Sequence, residues 1–155
     1  MEYLQDESMM LEALKEAEKA LRQGEIPVGA VIVQNGEIIA RAHNLCETEK
    51  SATAHAELLA IQAASRALGR WRLSDCTLYV TLEPCPMCTG AAINARIGRI
   101  VYAAKDARAG ACGSLLDLPT YPLESHPICE SGILQQESLS LLRSFFIKLR
   151  GKTEH

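Results

Sequence analysis

The chain has 155 residues, 48% of them hydrophobic and 23% charged, which suits a single domain spanning residues 1–155 with a sizeable core. No apolar run approaches the ~20 residues of a membrane span, and the acidic start Met1-Glu2-Tyr3-Leu4-Gln5-Asp6-Glu7 lacks a secretory core, so the expected location is the cytoplasm. A formal net charge of −3 gives no general attraction for nucleic acid.

Apolar residues at spacings of three and four, from Met9 to Leu21, predict a helix over residues 6–23 that Gly24 ends. Val28 to Val33 reads as a strand, Asn35-Gly36 as a two-residue hairpin turn, and Glu37 to Ala42 as the return strand. Residues 43–52 read as a polar loop. Thr53 is placed to cap a helix that runs to Leu68 and stops at Gly69. Cys76 to Leu82 is an apolar strand, Pro86 opens a helix to about Arg96, and Ile100 to Ala103 is a further strand. Beyond a loop over 104–113, a helical turn is expected at Ser114 to Asp117. A short strand follows near Ile128, then a last helix from about Leu134 to Leu149. This order predicts an α/β fold, three layers α-β-α around a mixed sheet of about five strands. The terminal His155 is expected to fray.

Two short segments carry the chemistry. His55-Ala56-Glu57 is an H-x-E, and Pro84-Cys85-Pro86-Met87-Cys88 is a P-C-x-x-C. One imidazole and two thiols suit tetrahedral zinc with the fourth position open, the arrangement of catalytic rather than structural zinc sites. Both segments fall at predicted helix starts, where partial positive charge favours the thiolate form that binds metal. Glu57 is then placed to move protons rather than to bind metal. Taken singly, the H-x-E reads as a surface pair and the C-x-x-C as a redox pair or half of a zinc finger. A finger needs a fourth ligand, and His43, His126 and His155 have no suitable spacing. The conjunction, with Pro before the first Cys and Glu after the His, points to hydrolytic deamination of a base. The absence of an export signal makes Cys46, Cys76, Cys112 and Cys129 free thiols, with Cys76 a small hydrophobe in its strand.

Beyond these motifs, Glu25-Ile26-Pro27-Val28-Gly29-Ala30-Val31, Asn44, Leu78-Tyr79-Val80-Thr81-Leu82-Glu83 and Asp106-Ala107-Arg108-Ala109-Gly110-Ala111-Cys112-Gly113-Ser114 complete a pattern. In it the chain resembles the bacterial tRNA adenosine deaminases of the cytidine-deaminase-like zinc superfamily. The resemblance covers nearly the whole chain. The zinc motif is shared with cytidine, deoxycytidylate, guanine and riboflavin-pathway deaminases, whereas the Gly-Ala-x-Gly-Ser run after an Asp is typical of the tRNA enzymes. The resemblance implies one Zn2+ per subunit on His55, Cys85 and Cys88, with Glu57 as general acid/base. The implied reaction converts the wobble adenosine of an anticodon loop to inosine, in a homodimer. It also implies that Asn44 and the Ala56 N–H read the purine edge and that Asp106 contacts sugar. An Asp accepting from a 2′-OH would favour RNA.

Each of these roles has a plainer counterpart. Asn44 also suits a turn residue closing its strand, and Asp106 a loop cap. Glu25 either reaches a flipped base through the pocket wall or faces solvent. Phe145 or Phe146 stacks on RNA, while Leu139, Leu142, Phe145, Phe146 and Leu149 are equally spaced as a buried helix face. Residues 1–25 hold seven acids against three bases, whereas 94–108 (Arg96, Arg99, Lys105, Arg108 against Asp106) and 141–155 are each +3. That asymmetry reads equally as a phosphate-binding face or a solvated surface. The helix over Thr89 to Ala95 packs either on a partner or on the sheet. Two rival functions stand beside RNA adenosine deamination: a small-molecule guanine or cytosine deaminase, and a non-catalytic zinc-stabilised RNA-binding module. Glu57 speaks against the second, because a structural metal site has no use for that carboxylate.

Overall fold

The computed structural model describes residues 2–153; the expectation for His155 lies outside them. Helix α1 (Glu2–Arg22) is followed by strands β1 (Gly29–Gln34) and β2 (Glu37–His43). Next come a short helix α2 (Cys46–Glu49), α3 (Ala56–Leu68), β3 (Cys76–Leu82), α4 (Pro86–Asn94) and β4 (Arg99–Ala104). A 3-10 turn at Leu118–Thr120, β5 (Ile128–Ser131) and α5 (Gln135–Thr153) complete the order. The sheet runs β2-β1-β3-β4-β5. β1 is antiparallel to β2 and β3, while β3, β4 and β5 are parallel. This is the mixed five-stranded sheet and layered α/β architecture that the sequence predicts.

Side-chain alternation makes the three layers. Ala30, Ile32, Leu78, Val80, Ile100 and Tyr102 point to one face, where Ala56, Ala60, Ile61 and Ala64 of α3 and Ala92 of α4 cover them. Val31, Val33, Tyr79, Val101 and Ala103 point to the other, beneath Met10 and Ala13 of α1. Ala92 and Ile93 are buried, so that side of α4 faces the interior. α1 lies very close to β1: a Cβ on Gly29 would stand 2.1 Å from the Ala13 carbonyl oxygen. The hairpin turn is built by left-handed residues, Asn35 at φ 50° and Gly36 at φ 79°.

The structure departs from the sequence reading where local signals compete. Thr53 does not cap α3; its hydroxyl bonds Ser51, and His55 itself is the extended residue that starts the helix. The loop over 43–52 contains α2. Residues 114–117 are not helical: Cys112 pairs with Asp117 as an isolated bridge, and the turn comes later, at Leu118–Thr120. α5 is tethered by its buried Ser138, whose hydroxyl donates to the Thr81 carbonyl at 2.6 Å. Its apolar residues are half-buried or exposed, so the expected buried face is only partly realised.

Candidate metal centre and active site

The sheet sets the site at the carboxyl end of β3. The chain leaves β3 at Leu82 and enters α4 at Pro86, and Cys85 is the extended residue between. α3 starts in the same way from His55. Each ligand segment therefore precedes a helix whose first N–H groups have no helical acceptor. The Leu58 N–H faces the Cys88 sulfur, and the Cys88 N–H faces the Cys85 sulfur.

His55 Nδ1 lies 3.6 Å from Cys85 Sγ and 3.5 Å from Cys88 Sγ, and all three ligand atoms fall within 4.8 Å of one another. Tetrahedral zinc with Zn–S of ~2.3 Å and Zn–N of ~2.0–2.1 Å requires S···N separations of about 3.6 Å. The trio fits that ion. The thiols share their proton unequally: the bond from Cys88, supported by His55, brings Cys85 down to about 4, and the same bond pushes Cys88 up. A dication among the three favours thiolate at both sulfurs.

Glu57, in the first turn of α3, is 4% exposed. Burial raises its carboxyl to about 7, the negative charge of Cys85 adding to the rise. It lines a cavity of about 150 Å3 with Ile26, Val28, Asn44, His55, Leu82, Glu83, Cys85, Asp106 and Ala109. That volume lies below the ~300–1,000 Å3 of pockets for drug-sized ligands and suits one flat heterocycle. Two larger cavities share walls with it. One, about 570 Å3, runs past Lys105, Asp106, Arg108, Leu142 and Phe146. The other, about 550 Å3, runs past Glu25, Asn44, Cys46, Phe145, Phe146 and Leu149.

The structure brings Asn44 and Asp106 to the small cavity and Phe145 to its flank. Asn44 is 7% exposed and accepts the Cys46 thiol on Oδ1 at 3.5 Å. Ala56 is buried and heads α3. Asp106 Oδ1 accepts from the N–H groups of Arg108 (3.0 Å) and Ala109 (3.2 Å), so it does form the loop cap that one reading expected. Glu25 lines the second flanking cavity and departs from the solvent-facing reading. It is 1% exposed rather than in solvent, and its carboxylate accepts from Glu47 N (3.0 Å), Thr48 N (2.6 Å) and Thr48 Oγ1 (2.6 Å), which anchors α2. The basic segment 94–108 is also smaller as a phosphate face than its charge suggests. Arg99 is committed to Asp6 and Glu130, and Arg96 to the carbonyls of Ile93 and Asn94 and to Glu124. Lys105 and Arg108 alone of that segment's cations border the cavities.

Sequence reasoning gave no role to Ile26, which is 40% exposed and borders all three cavities, or to the buried Glu83. Nothing local in the sequence marked either residue as part of the cavity walls. All six cysteines are free, and burial pushes Cys76 up to about 11, as suits a small hydrophobe.

Residues 4–104 match the cytidine and deoxycytidylate deaminase zinc-binding region. The chain belongs to this deaminase family. Within it, the tRNA-specific adenosine deaminase of Bacillus subtilis (strain 168) is 52% identical over 149 residues, covering 96% of this chain and 92% of that protein. A structure from a study of A-to-I editing by tRNA:A34 deaminases at the wobble position superposes with a TM-score of 0.85. It is 42% identical and covers 87% of this chain and 99% of that one. The guanine deaminase from Bacillus subtilis is 37% identical with a TM-score of 0.63, covering 90% of this chain and 92% of that one. The deaminase fold is thus shared with a free-base enzyme, but the likeness to the tRNA enzymes is stronger in both sequence and shape.

Proposed function

We infer that this protein is a tRNA adenosine deaminase, a hydrolase that converts the wobble adenosine (position 34) of an anticodon loop to inosine and releases ammonia. The observation that carries the reading is the buried carboxylate of Glu57 beside a His-Cys-Cys trio of zinc spacing, in a cavity for one base, on a chain half identical to a tRNA-specific adenosine deaminase. Zinc, one ion per subunit on His55, Cys85 and Cys88, supplies Lewis acidity that makes a water nucleophilic near neutral pH.

The chain's own residues do the rest. Glu57 takes a proton from the attacking water and delivers it to N1 of adenine; it then takes the remaining proton from the new C6 hydroxyl and passes it to the amino group, which leaves as ammonia. The C6–N bond breaks as C6 keeps the water oxygen. Asn44 and the Ala56 N–H hold the purine edge. The cavity takes only the base, so the nucleotide must leave its stack, which is cheapest in a single-stranded loop. Neighbouring nucleotides occupy the two flanking cavities, one with Lys105 and Arg108 for phosphate, the other with Phe145 and Phe146 for stacking. Asp106 accepts from a ribose 2′-OH. The protein works as one domain in the cytoplasm. It forms a homodimer, for which the exposed Leu115, Leu116, Tyr121 and Leu123 supply apolar surface. Among the described residues no helix is long and apolar enough to cross a membrane.

The test is inosine formation in a short RNA hairpin with an A-C-G anticodon, using zinc-loaded protein. Glu57→Gln protein and free adenosine, guanine and cytidine run in parallel. Inosine from the hairpin, lost in the variant, supports the reading. Ammonia from guanine or cytidine with no hairpin product replaces it with a small-molecule deaminase. Hairpin binding without turnover of any substrate leaves only the binding-module alternative.

A further inference from the structure

Past Leu82 and Ala104 the pairing of β3 with β4 ends, and no ladder holds the segment that carries Asp106. One side chain replaces it. Glu83 is 2% exposed, and each of its carboxylate oxygens accepts twice from that segment. Oε1 takes Asp106 N at 3.1 Å and the Ser114 hydroxyl; Oε2 takes Cys112 N at 3.0 Å and Ser114 N at 3.1 Å. The next residue adds a fifth bond, from Ala111 N to the Pro84 carbonyl at 2.8 Å. Residues 106–114 are thereby wrapped around the two residues that precede the Cys85 ligand. Gly110 shows how tightly. A Cβ there would stand 2.3 Å from Glu83 Cδ and 2.6 Å from the Asp106 carbonyl oxygen, so the loop closes over the carboxylate only because residue 110 has no side chain.

We propose that Glu83 is a positioning residue for the nucleic-acid substrate: its buried carboxylate fastens the Asp106–Ser114 loop to the metal-ligand segment and so sets where Asp106 and Ala109 stand over the cavity. The proposal rests on the reading that this wall of the cavity meets RNA. Among the described residues the Glu83 carboxylate bonds Asp106, Cys112 and Ser114 and not His55, Glu57, Cys85 or Cys88, and the proton transfers do not need it. Its removal therefore acts on substrate binding rather than on the chemical step. An amide at this position turns a donor toward N–H groups already committed as donors, which frees one end of the loop.

The experiment compares wild type, Glu83→Gln, Gly110→Ala and Asp106→Ala as zinc-loaded full-length protein, with steady-state kinetics on the A-C-G hairpin, zinc stoichiometry and thermal unfolding. In Glu83→Gln, KM rises about tenfold or more while kcat stays within about threefold and zinc content is unchanged. Gly110→Ala reproduces the KM rise without altering any charge, and the double variant is no worse than the poorer single, because both act through one loop. A purely structural strut would instead lower kcat and zinc content along with stability, and that pattern overturns the proposal. So does an unchanged KM in both single variants. If Glu83→Gln fails to fold, Gly110→Ala and Ser114→Ala carry the same test. The two levels separate cleanly. A wild type that does not convert the hairpin defeats the functional reading. Conversion by wild type, impaired by Asp106→Ala but not by Glu83→Gln or Gly110→Ala, defeats this proposal alone.

Discussion

Two clusters of ionisable groups, each around a buried carboxyl, lie at opposite ends of the β3–β4 pair, and they treat that carboxyl in opposite ways. At the start of β4, Arg99 donates to Asp6 at 2.8 and 2.6 Å and to Glu130 at 2.8 and 2.9 Å, and Tyr79 donates to Asp6 at 2.7 Å. Burial works to raise Asp6, but the bonds from Arg99 and Tyr79 win and hold it below the usual range. Beyond the end of β3, Glu57 is as deeply buried and, among the described residues, has no arginine or lysine bonded to it; burial outweighs the pull of His55 and carries it up to about 7. The first cluster spends its charges on one another and contributes stability. The second sets a buried carboxyl, raised by burial, beside the three side chains of zinc spacing. A buried charge marks function here when its compensation is missing, not because it is buried.

Loss of the metal has the largest expected effect. Stripping zinc with a chelator abolishes deamination, and adding zinc restores it. The thermal midpoint falls as well, by an amount that grows with the logarithm of the free zinc removed. Both changes are read by parallel assays of inosine and melting. Glu57→Gln lowers kcat on the hairpin by about 10^3-fold or more, while zinc stoichiometry and melting stay at the wild-type level. A variant that lost zinc instead would show Glu57 to be part of the metal site.

The opposite cluster gives the mirror result. Asp6→Asn destabilises the fold by about 3 kcal/mol in urea unfolding at pH 7, because Arg99 loses a buried partner, and leaves kcat/KM within about twofold. Its pH dependence sharpens the contrast. Asp6 has a folded-state value below its ordinary 3.8, so its stabilisation is fully present above that value. It is lost as pH falls below 3.8 and through the folded value, where the unfolded chain binds the proton first. The difference between wild type and Asp6→Asn is therefore flat above about pH 5 and shrinks in acid. Tyr79→Phe, which deletes one donor to Asp6, costs about 1 kcal/mol by the same unfolding measurement and nothing in activity.

Strand alternation in Gly29–Gln34 and Cys76–Leu82, the Asn35-Gly36 turn and the three- and four-residue spacing of α1 are local patterns, and a sequence displays local patterns directly. The same holds for the H-x-E and P-C-x-x-C segments, whose spacing already specifies two ligating helix starts. Local patterns failed where two residues offered the same service. Thr53 has the right chemistry for a cap, yet the chain enters α3 from His55 and leaves the Thr53 hydroxyl to Ser51. Charge counting failed for a related reason. Arg96 and Arg99 look like phosphate ligands in a basic run until distant carboxylates claim them.

What the sequence determined alone was the inventory of the chemistry, a His, two Cys and a Glu at helix starts, together with the layered α/β order that displays them. Tertiary structure decided the environment of every charge. It joined Asp6 to Arg99 across 93 residues, turned Glu25 inward onto α2, and wrapped Asp106 to Ser114 around Glu83. The reason is physical. Backbone periodicity and ligand spacing are set between neighbours in the chain, whereas the compensation of a buried charge depends on which distant donors the packed sheet brings within hydrogen-bond reach.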